Sequence, residues 1–273
     1  MRRIVHLSDL HCPPERPTQS ERLVEAVVEA RPDLTVVTGD LTRRGRRREF
    51  EAARRLLDRL PGVHLVVPGN HDVPLLNLIS LIKGPFGRFN EHIASTRPAV
   101  FIDNEIAVVG LNTARGIQAR LNWSMGVAST RAVDEALALL RDADPKATRI
   151  LVSHHPIVPD LRDALRSATR GAARALALAR ENGVSIVMHG HLHRARAEAF
   201  EDGGPPIIVI GGGTALSDRE REEPASFNAI EIGNQSVAVK EMAFDRQAYT
   251  PQRSWTLKLN DTSPETLAAS AAP

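Results

Sequence analysis

The sequence predicts an α/β fold built around parallel strands. Three observations carry that expectation. Short apolar, β-branched runs alternate with helix-period segments through the first two thirds of the chain. The polar clusters richest in His, Asp and Asn each fall just after one of those runs. From Pro206 onward only strand signals remain.

Ile4-Val5-His6-Leu7 is the first apolar run. Ser20 to Ala30 follows with Leu23, Val24, Val27 and Val28 at helical spacing, and Pro32 stops it. Leu34 to Thr38 reads as a strand, Arg46 to Leu60 as an amphipathic helix closed by Pro61-Gly62, and Val63 to Val67 as a third strand. This β-α-β-α-β order implies parallel strands with helical crossovers. Leu75 to Thr96 suggests one or two short helices broken at Gly84-Pro85. Val100 to Asp103 and Ala107 to Leu111 suggest a hairpin around Asn104. Helices are expected over Thr130 to Asp142, with Thr130 as N-cap, and over Gly171 to Asn182. Strands are expected at Arg149 to Ser153, Val184 to Met188, Ile207 to Ile210, Ser226 to Ile232 and Ser236 to Ala243.

The chain has 273 residues, 42% hydrophobic and 25% charged, which is ordinary globular usage and excludes a collagenous or disordered chain. With no internal linker in view, residues 1–245 are expected to form one domain. Residues 246–273 are expected to be a C-terminal extension, frayed where Ala, Ser, Thr and Pro dominate. No apolar run approaches the ~20 residues of a membrane helix, and the start MRRIVHLSDLH lacks a secretory pattern. A cytoplasmic location is therefore expected. The one cysteine, Cys12, rules out an internal disulfide and a Cys-based zinc site. Lys plus Arg number 35 against 33 Asp plus Glu, and aromatics are 4%, so nucleic acid is not the expected partner.

The clusters are Asp9-Leu-His11, Gly39-Asp40, Gly69-Asn70-His71-Asp72, His154-His155-Pro156 and Gly190-His191-Leu192-His193. In an open α/β sheet the carboxyl ends of the strands share one edge, where ligands bind. Five distant clusters should therefore meet. Asp9 and His11, like His191 and His193, are two residues apart, so in extended backbone they would point to one side. Imidazole, carboxylate and amide oxygen together suit zinc, manganese, iron or nickel. The ligands are too many for one tetrahedral ion and about enough for two, a common device for phosphoryl displacement.

In this order, the motifs SDLH, VVTGDLT, VVPGNHD, VSHHP and HGHLHR resemble those of the calcineurin-like metallophosphoesterases, and among them the bacterial class III cyclic-nucleotide phosphodiesterases. The motifs span residues 8–193. The resemblance implies a four-layer α-β-β-α sandwich with two mixed sheets. It implies one metal on Asp9, His11 and His193, a second on Asn70, His154 and His191, and Asp40 bridging them. The ions would be manganese, iron or zinc. His71 would orient the substrate phosphate or protonate the leaving oxygen, with Asp72 supporting it.

The implied function is hydrolysis of a phosphodiester, such as a 3′,5′-cyclic nucleotide, by in-line attack of a hydroxide held between the metals. Alternatives are another phosphoester (glycerophosphodiester, nucleoside-diphosphate lipid, phosphomonoester or DNA) and a scaffold that keeps the fold without catalysis. Arg43, Arg44 and Arg115 are candidate contacts to a substrate phosphate, although the run from Arg43 to Arg48 also reads as a solvated loop and helix start. Residues 74–97 are placed to cap the pocket or to serve as an ordinary connection. Gly211-Gly-Gly213-Thr214 reads as a tight turn, and His6, His64, His92, His155 and His189 as structural or surface residues. A homodimer is the commonest oligomer open to such a chain.

Overall fold

The computed structural model describes residues 1–14, 16–74, 84–97, 99–116, 124–216, 223–233 and 235–259. Two six-stranded sheets form its centre. The first has the order β12-β11-β10-β1-β2-β3 and comprises β1 (Arg2–Leu7), β2 (Leu34–Val37), β3 (Val63–Val66), β10 (Ser226–Ile232), β11 (Ser236–Phe244) and β12 (Tyr249–Lys258). The second has the order β4-β5-β6-β7-β9-β8. It comprises β4 (Val100–Ile102), β5 (Ile106–Leu111), β6 (Thr148–Ser153), β7 (Val184–His189), β8 (Arg196–Phe200) and β9 (Ile207–Gly211). Strands β1, β2 and β3 pair in parallel, as do β5, β6, β7 and β9. The remaining pairings are antiparallel, so both sheets are mixed.

Alternation along β1 shows how the layers form. Ile4 faces the second sheet, in a cluster with Ile106, Ile150, Val152 and Ile186. Val5 and Leu7 face the other way, onto helices α1 (Pro17–Ala30) and α2 (Arg47–Leu57). The second sheet is covered in the same manner by α3 (Thr130–Ala138) and α4 (Ala172–Glu181), which bury Val133, Leu137, Ala175 and Leu176. Three apolar layers thus separate four layers of structure, the expected α-β-β-α sandwich. Because each central strand is buried on both faces, its sequence is continuously apolar (Leu34–Val37 has no exposed residue).

Several expectations need adjustment. The N-cap of α3 is Ser129, whose side chain accepts from Ala132 N–H, and Thr130 is the first helical residue. Strands β8 and β12 were not expected. Strand β12 lies within residues 246–273 and pairs with β11 along its length, so the part of that extension up to Lys258 belongs to the sheet. Of residues 74–97, 75–83 lie outside the described residues. Gly87–Phe89 and Asn90–Ala94 form a helical segment packed on α2, with Phe50 against Phe89 and His92, and with Arg47 paired to Glu91. That part lies on the helix side of the first sheet. Among the described residues no helix is long and apolar enough to cross a membrane.

Candidate metal centre

Seven residues come together where the two sheets meet, each just past the carboxyl end of a strand. Asp9 and His11 follow β1, Asp40 follows β2, and Asn70 follows β3, in a 3-10 turn, Asn70–Asp72. His154 follows β6, and His191 and His193 follow β7. All but His193 are buried, Asp9 and His154 completely. The ligand atoms of Asp9, His11 and His193 lie within 4.8 Å of one another, and so do those of Asp9, Asp40 and His154.

The backbone there is unlike the extended segment expected from sequence. Asp9, His11, Asp40, His191 and His193 all have left-handed φ, between 46° and 67°. The paired spacing still delivers both members of each pair to one site, but by repeated left-handed turns and not by strand alternation. Asp and His are among the few side chains that tolerate this region. Two glycines make the approach possible. A Cβ on Gly69 would stand 2.1 Å from Asp40 Oδ1 and 2.4 Å from its N, and one on Gly190 would stand 2.0 Å from Ser8 Oγ.

Hydrogen bonds orient the rings. His154 Nδ1 donates to Thr38 O at 2.6 Å, leaving the Nε2 lone pair 3.0 Å from Asn70 Oδ1 and 3.5 Å from Asp40 Oδ2. His11 Nδ1 donates to Thr42 O at 3.2 Å, and its buried Nε2 has no hydrogen-bond partner. Asp9 Oδ1 is likewise buried without one, 3.9 Å from His11 Nε2 and 3.1 Å from His193 Nε2. A carbonyl fixing the far nitrogen of an imidazole is the usual support of a metal-binding histidine. Converging buried lone pairs are costly unless a cation lies among them. The residues present therefore fit metal ions.

Electrostatics agree. Burial alone would raise the Asp9 carboxyl, but the imidazoles of His193, His154 and His11 outweigh it and hold Asp9 well below the usual range. Burial would lower His154, yet the carboxylates of Asp40 and Asp9 prevail and hold it above the usual imidazole range. Burial takes His191 down to about 3, so it is neutral and able to ligate.

The neighbouring residues sort themselves by contact. His71 Nδ1 donates to Arg43 O at 2.8 Å, which turns Nε2 toward Asp40 Oδ2, 4.0 Å away, and the ring is partly exposed. Asp72 is fully buried. Its carboxylate accepts from the N–H groups of Gly69, Leu41 and Thr42 and from the Thr42 hydroxyl. Its contact is thus with the loop that carries Asp40, and the His71 ring is steered by Arg43. Arg43 Nε donates to His11 O at 2.9 Å, beside the centre. Arg44 is exposed, with its N–H bound by Glu49, and Arg115 is half-buried beyond β5. Arg166, not singled out from sequence, donates to His191 O at 3.1 Å. In sequence it is one arginine among many, with no motif around it. His6 and His189 are buried, hydrogen-bonded and held near 3 by burial, consistent with structural roles. Burial pushes the Cys12 thiol up to about 12, so it is unreactive.

Comparison with known proteins places this geometry in context. No curated protein matches the sequence. Among solved structures, TT1561 of Thermus thermophilus is 13% identical with a TM-score of 0.52, covering 95% of this chain and 99% of its own. At that identity the likeness concerns the fold. Wild-type Vps29 complexed with Zn²⁺ from Entamoeba histolytica is 15% identical with a TM-score of 0.46, covering 94% and 99%. A predicted phosphoesterase from Streptococcus pneumoniae is 16% identical with a TM-score of 0.43, covering 94% and 97%. The sequence profile named Calcineurin-like phosphoesterase matches residues 2–195, a stretch that holds both sides of the centre. The chain belongs to the calcineurin-like phosphoesterase family.

Proposed function

We propose that this metal-dependent phosphoesterase is a phosphodiesterase that works with two ions. The observation that carries the reading is the meeting of two ligand sets. Asp9, His11 and His193 would hold one ion, and Asn70, His154 and His191 the other, with Asp40 shared. When bound, such a pair supplies Lewis acidity to phosphoryl oxygens and makes water a nucleophile near neutral pH. The chain's own residues do the rest. The Arg43 carbonyl holds Nδ1–H of His71, so Nε2 is the atom that takes up a proton and hands it to the leaving oxygen. Asp72 fixes the loops of Asp40 and Asn70 in mutual register. Arg43, anchored on His11 O, is near enough to meet a phosphate.

The proposed substrate is a 3′,5′-cyclic nucleotide, a reading supported by the motif resemblance. A hydrolysis screen with manganese tests it, using cyclic AMP, bis-p-nitrophenyl phosphate, p-nitrophenyl phosphate and a nucleoside-diphosphate lipid. The two diesters should be cleaved fastest. Preference for p-nitrophenyl phosphate or the lipid would reassign the substrate class. Two bound ions with no turnover of any compound would favour the scaffold.

A further inference from the structure

His155 stands beside two of the expected ligands, and its own ligand atom lies within 4.8 Å of those of His154 and His191. Proximity alone would make it an eighth ligand, but its hydrogen bonds argue otherwise. The Thr113 hydroxyl accepts from His155 N–H at 3.1 Å, which leaves its own hydrogen to donate to His155 Nδ1 at 2.9 Å. His155 Nε2 donates to Ser124 O at 2.9 Å. Both ring nitrogens are committed, the ring is neutral, and it is 1% exposed. Its faces and edges do something else. The His154 ring meets it edge-on at 4.7 Å, and the His191 ring lies against it at 4.6 Å.

The contrast with the other ligands sharpens this. His11 and His154 each donate Nδ1–H to a carbonyl. Among the described residues neither the His191 nor the His193 ring has such a bond; His193 has His11 as ring neighbour, whereas the neighbours of His191 are His155 and His154, the latter at 5.2 Å. Gly126 closes the arrangement, because a Cβ there would meet the His155 side chain at 2.5 Å.

We propose that His155 is a positioning residue: clamped between Thr113 and Ser124, its ring sets the orientation of His191 and His154 and so the affinity for the ion they share. The proposal rests on the two-ion reading above. It predicts an asymmetry, since Asp9, His11 and His193 do not lean on His155.

Manganese titration of chelator-stripped protein by calorimetry, with pulsed EPR of the bound ion, tests it. In His155→Phe one of the two affinities should fall about 10–100-fold while the other holds. His155→Gln, which keeps a donor toward Ser124 O, should recover part of the loss. The number of imidazole nitrogens seen by EPR should not change. If His155→Phe fails to fold, Thr113→Val carries the test, with a smaller loss at the same ion. Two unchanged affinities, or both falling together with the urea midpoint, would overturn the proposal. So would the loss of one imidazole signal, which would make His155 a ligand. Wild-type protein that binds fewer than two ions would sink the two-ion reading instead, and would be seen before any variant is made.

Discussion

The two sheets contribute different chemistry to the centre. The first supplies both carboxylates, Asp9 and Asp40, together with Asn70 and His11. The second supplies three imidazoles, His154, His191 and His193, and no acid. Neither sheet alone offers a balanced metal site. The first would gather negative charge with too few partners, and the second would be a cluster of neutral rings. The centre is therefore a product of tertiary packing: the same apolar layer that joins Ile4 to Ile150 brings acid and imidazole within reach.

Removing Asp40, the proposed shared ligand, should have the largest effect. Asp40→Ala removes the carboxylate nearest His154 Nε2 and the acceptor for His71 N–H at 2.8 Å. Metal content by plasma emission should fall together with activity, well beyond the ~10–100-fold that losing a supporting partner costs. His71→Ala should separate the two readouts, keeping both ions and lowering kcat by about 10²–10⁴-fold. If kcat is unchanged, His71 is not the proton donor.

Acid should weaken the metal-free protein. His6 and His189 are held near 3 in the fold, chiefly by burial, but titrate near 6.5 when unfolded. Their stabilising contribution is complete above pH 6.5 and is lost as pH falls toward 3, at about 1.4 kcal/mol per histidine per pH unit. Asp72 opposes this in part. Burial and the nearby Asp40 raise it to about 6, so between its ordinary value of 3.8 and 6 it favours the fold as pH falls. Urea midpoints should drop from pH 7 to pH 5, and a flat profile would contradict the buried neutral histidines. The smallest effect probes the seam itself. Gly190→Ala puts a Cβ 2.0 Å from Ser8 Oγ and 3.0 Å from Thr38 O, which directly follow β1 and β2 of the first sheet. It should cost about 1–3 kcal/mol in a thermal or urea melt.

Much of this was legible in the residues. The β-α-β-α-β start and the convergence of five clusters followed from apolar periodicity and the strand-end rule. Strand β12 has a weak sequence signal because it contains Pro251 and, from Arg253 on, only alternate residues are half-buried, as an edge strand allows. Strand β8, Arg196–Phe200, is short and carries charge. At the centre, residue types were readable but conformation was not. Two-residue spacing is equally compatible with extended and left-handed backbone, and only the latter occurs at Asp9, His11, His191 and His193. Adjacency in sequence makes Asp72 the expected partner of His71, yet its carboxylate spans to a loop thirty residues earlier in the chain, a contact that adjacency cannot announce.

The left-handed turns also restrict redesign. An engineer wishing to change metal preference would ordinarily exchange one coordinating side chain for another, such as cysteine or glutamate. At five of the seven proposed ligand positions the main chain admits few replacements beyond Asp, Asn, His and Gly without strain. The practical openings are Asn70 and His154, which are not among the left-handed residues, so a swap there would test donor chemistry without that conformational penalty.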